Sequence, residues 1–95
     1  AAHYFEWQKT ETGKTKYAIA PKESKWMLLA GIYRFESNTP VFTILTRAPS
    51  EDIAMIHDRM PVILPQEVLS DWLNPRYQGA EIMSAALTCM AYQPC

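Results

Sequence analysis

The sequence predicts an α+β domain: an antiparallel β meander forming part of an open barrel, followed by short flanking helices. Three observations predict it. Before Pro49 the chain holds four apolar or alternating stretches, separated by polar turns at a spacing of roughly 8–12 residues. Helix-start signals appear only from Pro49 onward. The chain has 95 residues, 48% of them hydrophobic and 20% charged, which suits one small core and is too apolar for disorder.

Residues 4–8 (YFEWQ) are aromatic-rich and read as a strand. Residues 9–14 (KTETGK) are polar, carry Gly13 and read as a hairpin turn. Residues 15–20 alternate, with Tyr17 and Ile19 on one face and Lys16 and Ala18 on the other. A second turn is expected over 21–25. The apolar run 26–35 reads as a central strand in which Gly31 marks a bulge or a close backbone approach. A third turn over 36–40 (ESNTP) leads into a β-branched strand over 41–46. Pro49, Ser50, Glu51 and Asp52 then start a helix of one or two turns carrying Ile53, Met55 and Ile56. Residues 60–64 (MPVIL) are extended, bounded by Pro61 and Pro65. A short amphipathic helix over 65–73 gathers Val68, Leu69, Trp72 and Leu73 on one face and stops at Asn74-Pro75. A helix over 81–87 and a strand over 88–92 complete the expected elements.

Nine Lys plus Arg against ten Asp plus Glu give a net charge of −1, so bulk charge signals neither a nucleic acid nor an anionic membrane. The longest apolar run, 26–32, falls far short of the ~20 residues of a membrane span, and no signal peptide is visible. Cys89 and Cys95 have neither zinc spacing nor the number for a disulfide framework, and read as reduced cytosolic thiols. Phosphate-loop, dinucleotide-binding, nucleophile-elbow and zinc-protease motifs are absent from the sequence. No cofactor and no metal are expected.

Three places carry candidate chemistry. Glu6 shares a strand face with Tyr4 and Gln8, while Phe5 and Trp7 share the other. It reads either as an exposed strand carboxylate or as a carboxyl held against aromatic surface for proton transfer. His57-Asp58-Arg59 follows the short helix; the imidazole suits orientation or proton transfer, and Asp58 and Arg59 are expected to pair and fix the turn, or to form a mere surface ion pair. Thr46, at the end of its strand, has a hydroxyl for a ligand or for capping a turn. Trp26 and Trp72 read as core. Trp7, beside Glu6, divides evenly between core and a stacking platform for a nucleic-acid base.

The order of these pieces is more informative than any one of them. Tyr4-Phe5-Glu6-Trp7 comes first, then Ala30-Gly31-Ile32-Tyr33, then Phe42-Thr43-Ile44-Leu45-Thr46, then Ile56-His57-Asp58-Arg59-Met60-Pro61-Val62-Ile63-Leu64, and finally Trp72-Leu73. This order closely resembles the SOS-response-associated peptidase (SRAP) family, over residues 4–75, with 76–95 only weakly matched; the chain then reads as the C-terminal part of a single domain. The resemblance implies a DNA-damage-response protein that recognises abasic sites in single-stranded DNA. Family members crosslink to the lesion through an N-terminal cysteine, whose amine and thiol form first a Schiff base and then a thiazolidine with the sugar aldehyde. It also implies catalytic roles for Glu6 and His57, a substrate contact from Thr46, and DNA contacts from Trp7 and Arg59. A cytoplasmic, bacterial, nucleoid-associated location follows from the same resemblance.

The sequence departs from the family pattern at the nucleophile. Residue 1 is Ala, both cysteines lie near the other end, and the two asparagines, Asn38 and Asn74, lie downstream of Glu6, where the family's catalytic Asn lies upstream. Two further readings therefore stand beside crosslinking: a non-catalytic module that binds DNA or protein, and a thiol-type peptidase or autoprotease. A meander without its first half is expected to leave apolar faces open, for a homodimer, a partner chain or a missing N-terminal segment to cover, or to remain as an exposed patch.

Overall fold

The computed structural model describes residues 1–22, 25–77 and 79–95. Their strands in chain order are β1 (Tyr4–Thr10), β2 (Gly13–Pro21), β3 (Leu28–Leu29), β4 (Gly31–Glu36), β5 (Thr39–Ile44), β6 (Thr46–Arg47), β7 (Met60–Pro61), β8 (Ile63–Leu64) and β9 (Met90–Pro94). The helices are α1 (Leu69–Trp72), preceded by a 3₁₀ turn over Gln66–Val68, and α2 (Gly79–Met83). All strand pairings are antiparallel, as the sequence predicts, and no closed barrel forms among the described residues. None of the described helices is long and apolar enough to cross a membrane.

β1 and β2 pair in register from Tyr4↔Ile19 to Thr10↔Gly13, and β9 adds to the far edge of β2. The predicted six-residue turn shrinks to Glu11 and Thr12, because Lys9↔Lys14 already belongs to the ladder. Gly13 sits at φ +144°, a conformation that side chains disfavour, and the Thr10 hydroxyl donates to its carbonyl at 3.0 Å. The second expected turn, over 21–25, includes Glu23 and Ser24, which lie outside the described residues.

The next three expected strands each break once, and the breaks meet. Residues 28–36 split at Ala30, 39–47 at Leu45 and 60–64 at Val62. On one side of its break each stretch pairs with one of the other two, and on the other side with the remaining one: β3 with β8, β4 with β5, β6 with β7. At the centre Leu45 N–H donates to Ala30 C=O, Ala30 N–H to Val62 C=O, and Val62 N–H to Leu45 C=O, each at 2.9 Å. This cyclic exchange satisfies the peptide groups that the breaks would otherwise leave buried and unpaired. It replaces the single central strand expected over 26–35. Gly31 does mark a close approach: a Cβ there would lie 3.3 Å from the Thr43 carbonyl oxygen. β4 and β5 are joined by Ser37 and Asn38, both at positive φ (49° and 66°), the pattern of primed two-residue hairpin turns.

The core has two parts. Ile19, Met27, Ile53, Ile56, Met60, Ile63 and Met90 form one, with Tyr4 and Tyr17 packed against it. Ala30, Val62, Leu64 and Ile82 form the other, with Leu45, Val68 and Trp72 against it. Trp72 thus packs as expected, whereas Trp26 is 68% exposed and is not core. The helix expected after Pro49 is a run of turns: Ser50 C=O accepts from Ile53 and Ala54, and Ile53 C=O from Ile56 and His57. Two isolated i→i+4 bonds are too few to propagate a helix, but they bury Ile53 and Ile56 and set His57 at the segment's end. The expected helix over 65–73 is the 3₁₀ turn running into the single turn of α1, and the helix expected over 81–87 starts earlier and stops at Met83.

Candidate functional site

β1 lies at the edge of its sheet, and its alternation aims Tyr4, Glu6 and Gln8 inward. The turns after Ser50 run past this face. Gln8 Nε2 donates to the Met55 carbonyl at 2.9 Å, and the Tyr17 hydroxyl donates to Gln8 Oε1 at 3.3 Å, so Gln8 ties β1 and β2 to the turn. The result brings two side chains from opposite ends of the sequence together: His57 Nε2 lies 3.8 Å from Glu6 Oε1. Both line an open cavity of about 620 Å³, whose wall also includes Trp7, Lys9 and Lys14.

Each partner is held. The Trp7 backbone N–H donates to Glu6 Oε1 at 3.2 Å. His57 Nδ1 lies 3.3 Å from both the N–H and the C=O of Arg59, and 3.3 Å from Asp58 Oδ1. A bare Nδ1 accepts from the Arg59 N–H, and a protonated one donates to the Arg59 carbonyl or to Asp58. Either tautomer has a partner, so the ring can exchange a proton at Nε2 without losing its anchor. Tyr4 shares the face of Glu6; burial first, and the Glu6 carboxylate second, push its phenol up to about 12. The phenol is neutral near pH 7 and its oxygen is buried without a hydrogen-bond partner among the described residues.

Thr46 and Arg59 are joined to each other. The guanidinium straddles the Thr46 hydroxyl through Nε at 3.3 Å and Nη2 at 3.1 Å. β6 pairs with β7, bringing Thr46 opposite Pro61, two residues past Arg59. Arg59 therefore does not form the expected pair with Asp58, whose carboxylate faces the imidazole instead. Glu6, Trp7 and His57 share the cavity, while Thr46 and Arg59 form an adjoining polar unit, linked to His57 through the Arg59 backbone. Neither Cys89 nor Cys95 lines this cavity; both are exposed, free thiols.

The sequence reading missed Gln8, Lys9 and Lys14 as site residues. The signal for Gln8 was present, since alternation already placed it on the face of Glu6. The lysines were hidden in a stretch read as turn.

An antiparallel frame split at a three-way junction, with a Glu/His pair at the rim of its edge strand, defines the class: the chain belongs to the SOS response associated peptidase (SRAP) family, whose model matches residues 1–93. Among individual relatives, it is 37% identical to the abasic site processing protein YoqW of Bacillus subtilis, over 92% of this chain and 42% of the relative. It is also 37% identical to the B. subtilis abasic site processing protein YobE, again over 92% and 42%. A crystal structure of a protein from Bacteroides thetaiotaomicron superposes with a TM-score of 0.80 at 30% identity, covering 99% of this chain and 46% of that one. The chain spans about two-fifths of the length of these curated relatives.

Proposed function

We propose that this chain contributes the proton-transfer side of a centre that recognises abasic sites in single-stranded DNA and links to them covalently. One observation carries the reading: Glu6 and His57 approach to 3.8 Å in an open cavity. The names of the relatives, abasic site processing proteins, supply the substrate class.

The chemistry fits the groups. The ring-opened abasic sugar presents an aldehyde. An attacking amine forms a C–N bond at the carbonyl carbon as the C=O π pair moves onto oxygen; the oxygen takes a proton and the nitrogen loses one, giving a carbinolamine. That hydroxyl then leaves as water on taking a second proton, while the nitrogen loses its own and the imine forms. Both steps need a group that gives and takes protons within hydrogen-bond reach of one oxygen and one nitrogen. The 3.8 Å approach of Glu6 and His57 Nε2 supports giving this role to that pair. Attack of a thiol sulfur on the imine carbon, with the C=N π pair moving onto nitrogen and taking the thiol's proton, would close a thiazolidine, and in this reading the amine and thiol come from outside these 95 residues. Arg59 and Thr46 would hold the sugar–phosphate beside the pair. An abasic nucleotide is cheap to splay into a cavity because it has no base to unstack.

The peptidase reading is weaker, because neither cysteine lines the cavity with His57. The test uses the product of the complete reading frame that encodes these residues, incubated with abasic and intact single strands and run on a denaturing gel. A covalent adduct on the abasic strand alone is expected, reduced ~10²-fold or more in rate by Glu6→Gln or His57→Ala. No adduct from the unaltered protein would remove the crosslinking reading.

A further inference from the structure

We infer that the outer face of the β1–β2 hairpin is a platform for the single strand flanking the lesion, with its lysines on phosphates and its rings under bases. The inference rests on the abasic-site reading for its substrate but uses residues on the face opposite Glu6. The ladder pairs Phe5 with Ala18, Trp7 with Lys16 and Lys9 with Lys14. Alternation therefore sets Phe5, Trp7, Lys9, Lys14 and Lys16 on one face.

Four features of that face point to a nucleic acid. Phe5 and Trp7 stay 43% and 46% exposed, so each keeps ring surface accessible beside Lys16. Lys16 Nζ lies 4.2 Å from the centre of the Phe5 ring and 5.6 Å from that of Trp7, so a cation already lies over both rings. Lys9 and Lys14 are exposed, directly opposed, and without an ion-pair partner among the described residues. Like charges placed opposite each other destabilise a ladder, and an anion between them removes that cost. Finally, Trp7, Lys9 and Lys14 also line the cavity of Glu6 and His57, so a strand lying on the platform leads to the reacting pair. An acidic peptide would satisfy the lysines but would have no use for the rings. A single strand uses both, since every base has a π face and every nucleotide a phosphate. The chain's net charge of −1 is a sum over all 95 residues and conceals this local group of three lysines, beside which Glu11 in the hairpin turn is the one carboxylate between β1 and β2.

The experiment measures binding of the complete reading-frame product to intact oligothymidylate by fluorescence anisotropy, from 50 to 200 mM salt. The double variant Lys9→Ala/Lys14→Ala, which relieves the opposed charges, should melt no lower than the parent and bind more weakly. Its salt dependence should be shallower by about 0.7 per lost phosphate contact, so the parent should lose about sevenfold more affinity across that range. Lys9→Arg/Lys14→Arg should restore the slope. An unchanged slope in the alanine variant overturns the platform, as does competition by polyglutamate as strong as that by oligothymidylate. The two readings separate cleanly: a shallower slope without an adduct on abasic DNA keeps the platform and removes the crosslinking chemistry, and an adduct with an unchanged slope does the reverse.

Discussion

In the β1–β2 hairpin, one face carries Tyr4, Tyr17 and Ile19 into the core, and the other carries rings interleaved with lysines. In the β4–β5 hairpin the same alternation gathers Tyr33, Phe35, Pro40, Phe42 and Ile44 on one face and Ile32, Arg34, Glu36, Val41 and Thr43 on the other, with Arg34 and Glu36 paired. Neither face is packed: Tyr33 is 73% and Phe42 77% exposed on one, and Ile32 is 53% exposed on the other. The first hairpin also has β9 along its free edge and Gln8 bonded to the turn, whereas β4 and β5 pair only with each other among the described residues. A two-stranded hairpin alone is marginal in water, so the second depends on the junction at Ala30, Leu45 and Val62. The contrast lies in the outward faces. Where an exposed face mixes cations with rings, the fitting partner is a polyanion with flat bases. An outward face of rings and aliphatic groups without charge is the open apolar surface expected of a meander lacking a covering layer.

The largest test of this contrast is in the core. Ile19→Ala, on β2, removes a fully buried side chain and should lower the unfolding free energy by about 2–5 kcal/mol in urea titrations. Phe42→Ala, although it deletes more atoms, should change it by no more than about 0.5 kcal/mol, because its ring already faces solvent. A loss at Phe42 as large as that at Ile19 would mean that the second hairpin is packed in solution and would end the distinction.

A smaller effect is expected at the tie between the first hairpin and the site. Gln8→Ala removes the bond to the Met55 carbonyl and the acceptor of the Tyr17 hydroxyl. It should cost about 1 kcal/mol. Because the same turn ends at His57, it should also slow adduct formation more than it weakens binding of intact DNA. Thr43→Ala on β5, an exposed position, is the matched control and should be neutral within about 0.5 kcal/mol. Equal effects at the two positions would show that Gln8 is not positioning the turn.

Much of the frame was legible because alternation is a local property. The opposite facing of Glu6 and Trp7 and the inward facing of Ile19 both follow from period-2 patterning. His57 was found by its neighbours in the sequence, and its approach to Glu6 only by the resemblance. The breaks at Leu45 and Val62 were not legible, since neither Gly nor Pro stands at either position and each break is set by hydrogen bonds to distant strands. The same cause misplaced residues 26–35: an apolar run reads as a buried strand, yet from Gly31 onward its rings have no layer to pack against. Arg59 was assigned to its neighbour Asp58 because sequence proximity cannot see Thr46, thirteen residues away, brought across by β6 and β7.

The finest test concerns one hydroxyl. Tyr4 packs on the core with its oxygen buried and unpartnered among the described residues, and with its phenol pushed up to about 12 by burial and by Glu6. The ordinary phenol value is about 10. Below that, both folded and unfolded chains keep the proton and the group contributes no pH dependence. Between about 10 and 12 the unfolded chain releases the proton while the folded chain retains it, so stability falls as pH rises through this window. Tyr4→Phe should therefore flatten that alkaline decline. Near pH 7 it should raise stability slightly, by up to about 1 kcal/mol, because it removes a buried polar atom without breaking a bond. Tyr33→Phe, on the exposed hairpin, leaves Tyr4 in place and should keep the decline. Thermal melts of the three proteins at pH 7 and across pH 10–12 decide it. A loss of stability in Tyr4→Phe at pH 7 would show that the hydroxyl does have a partner, and that the inner face of β1 is more polar than its packing against Ile19 and the turn implies.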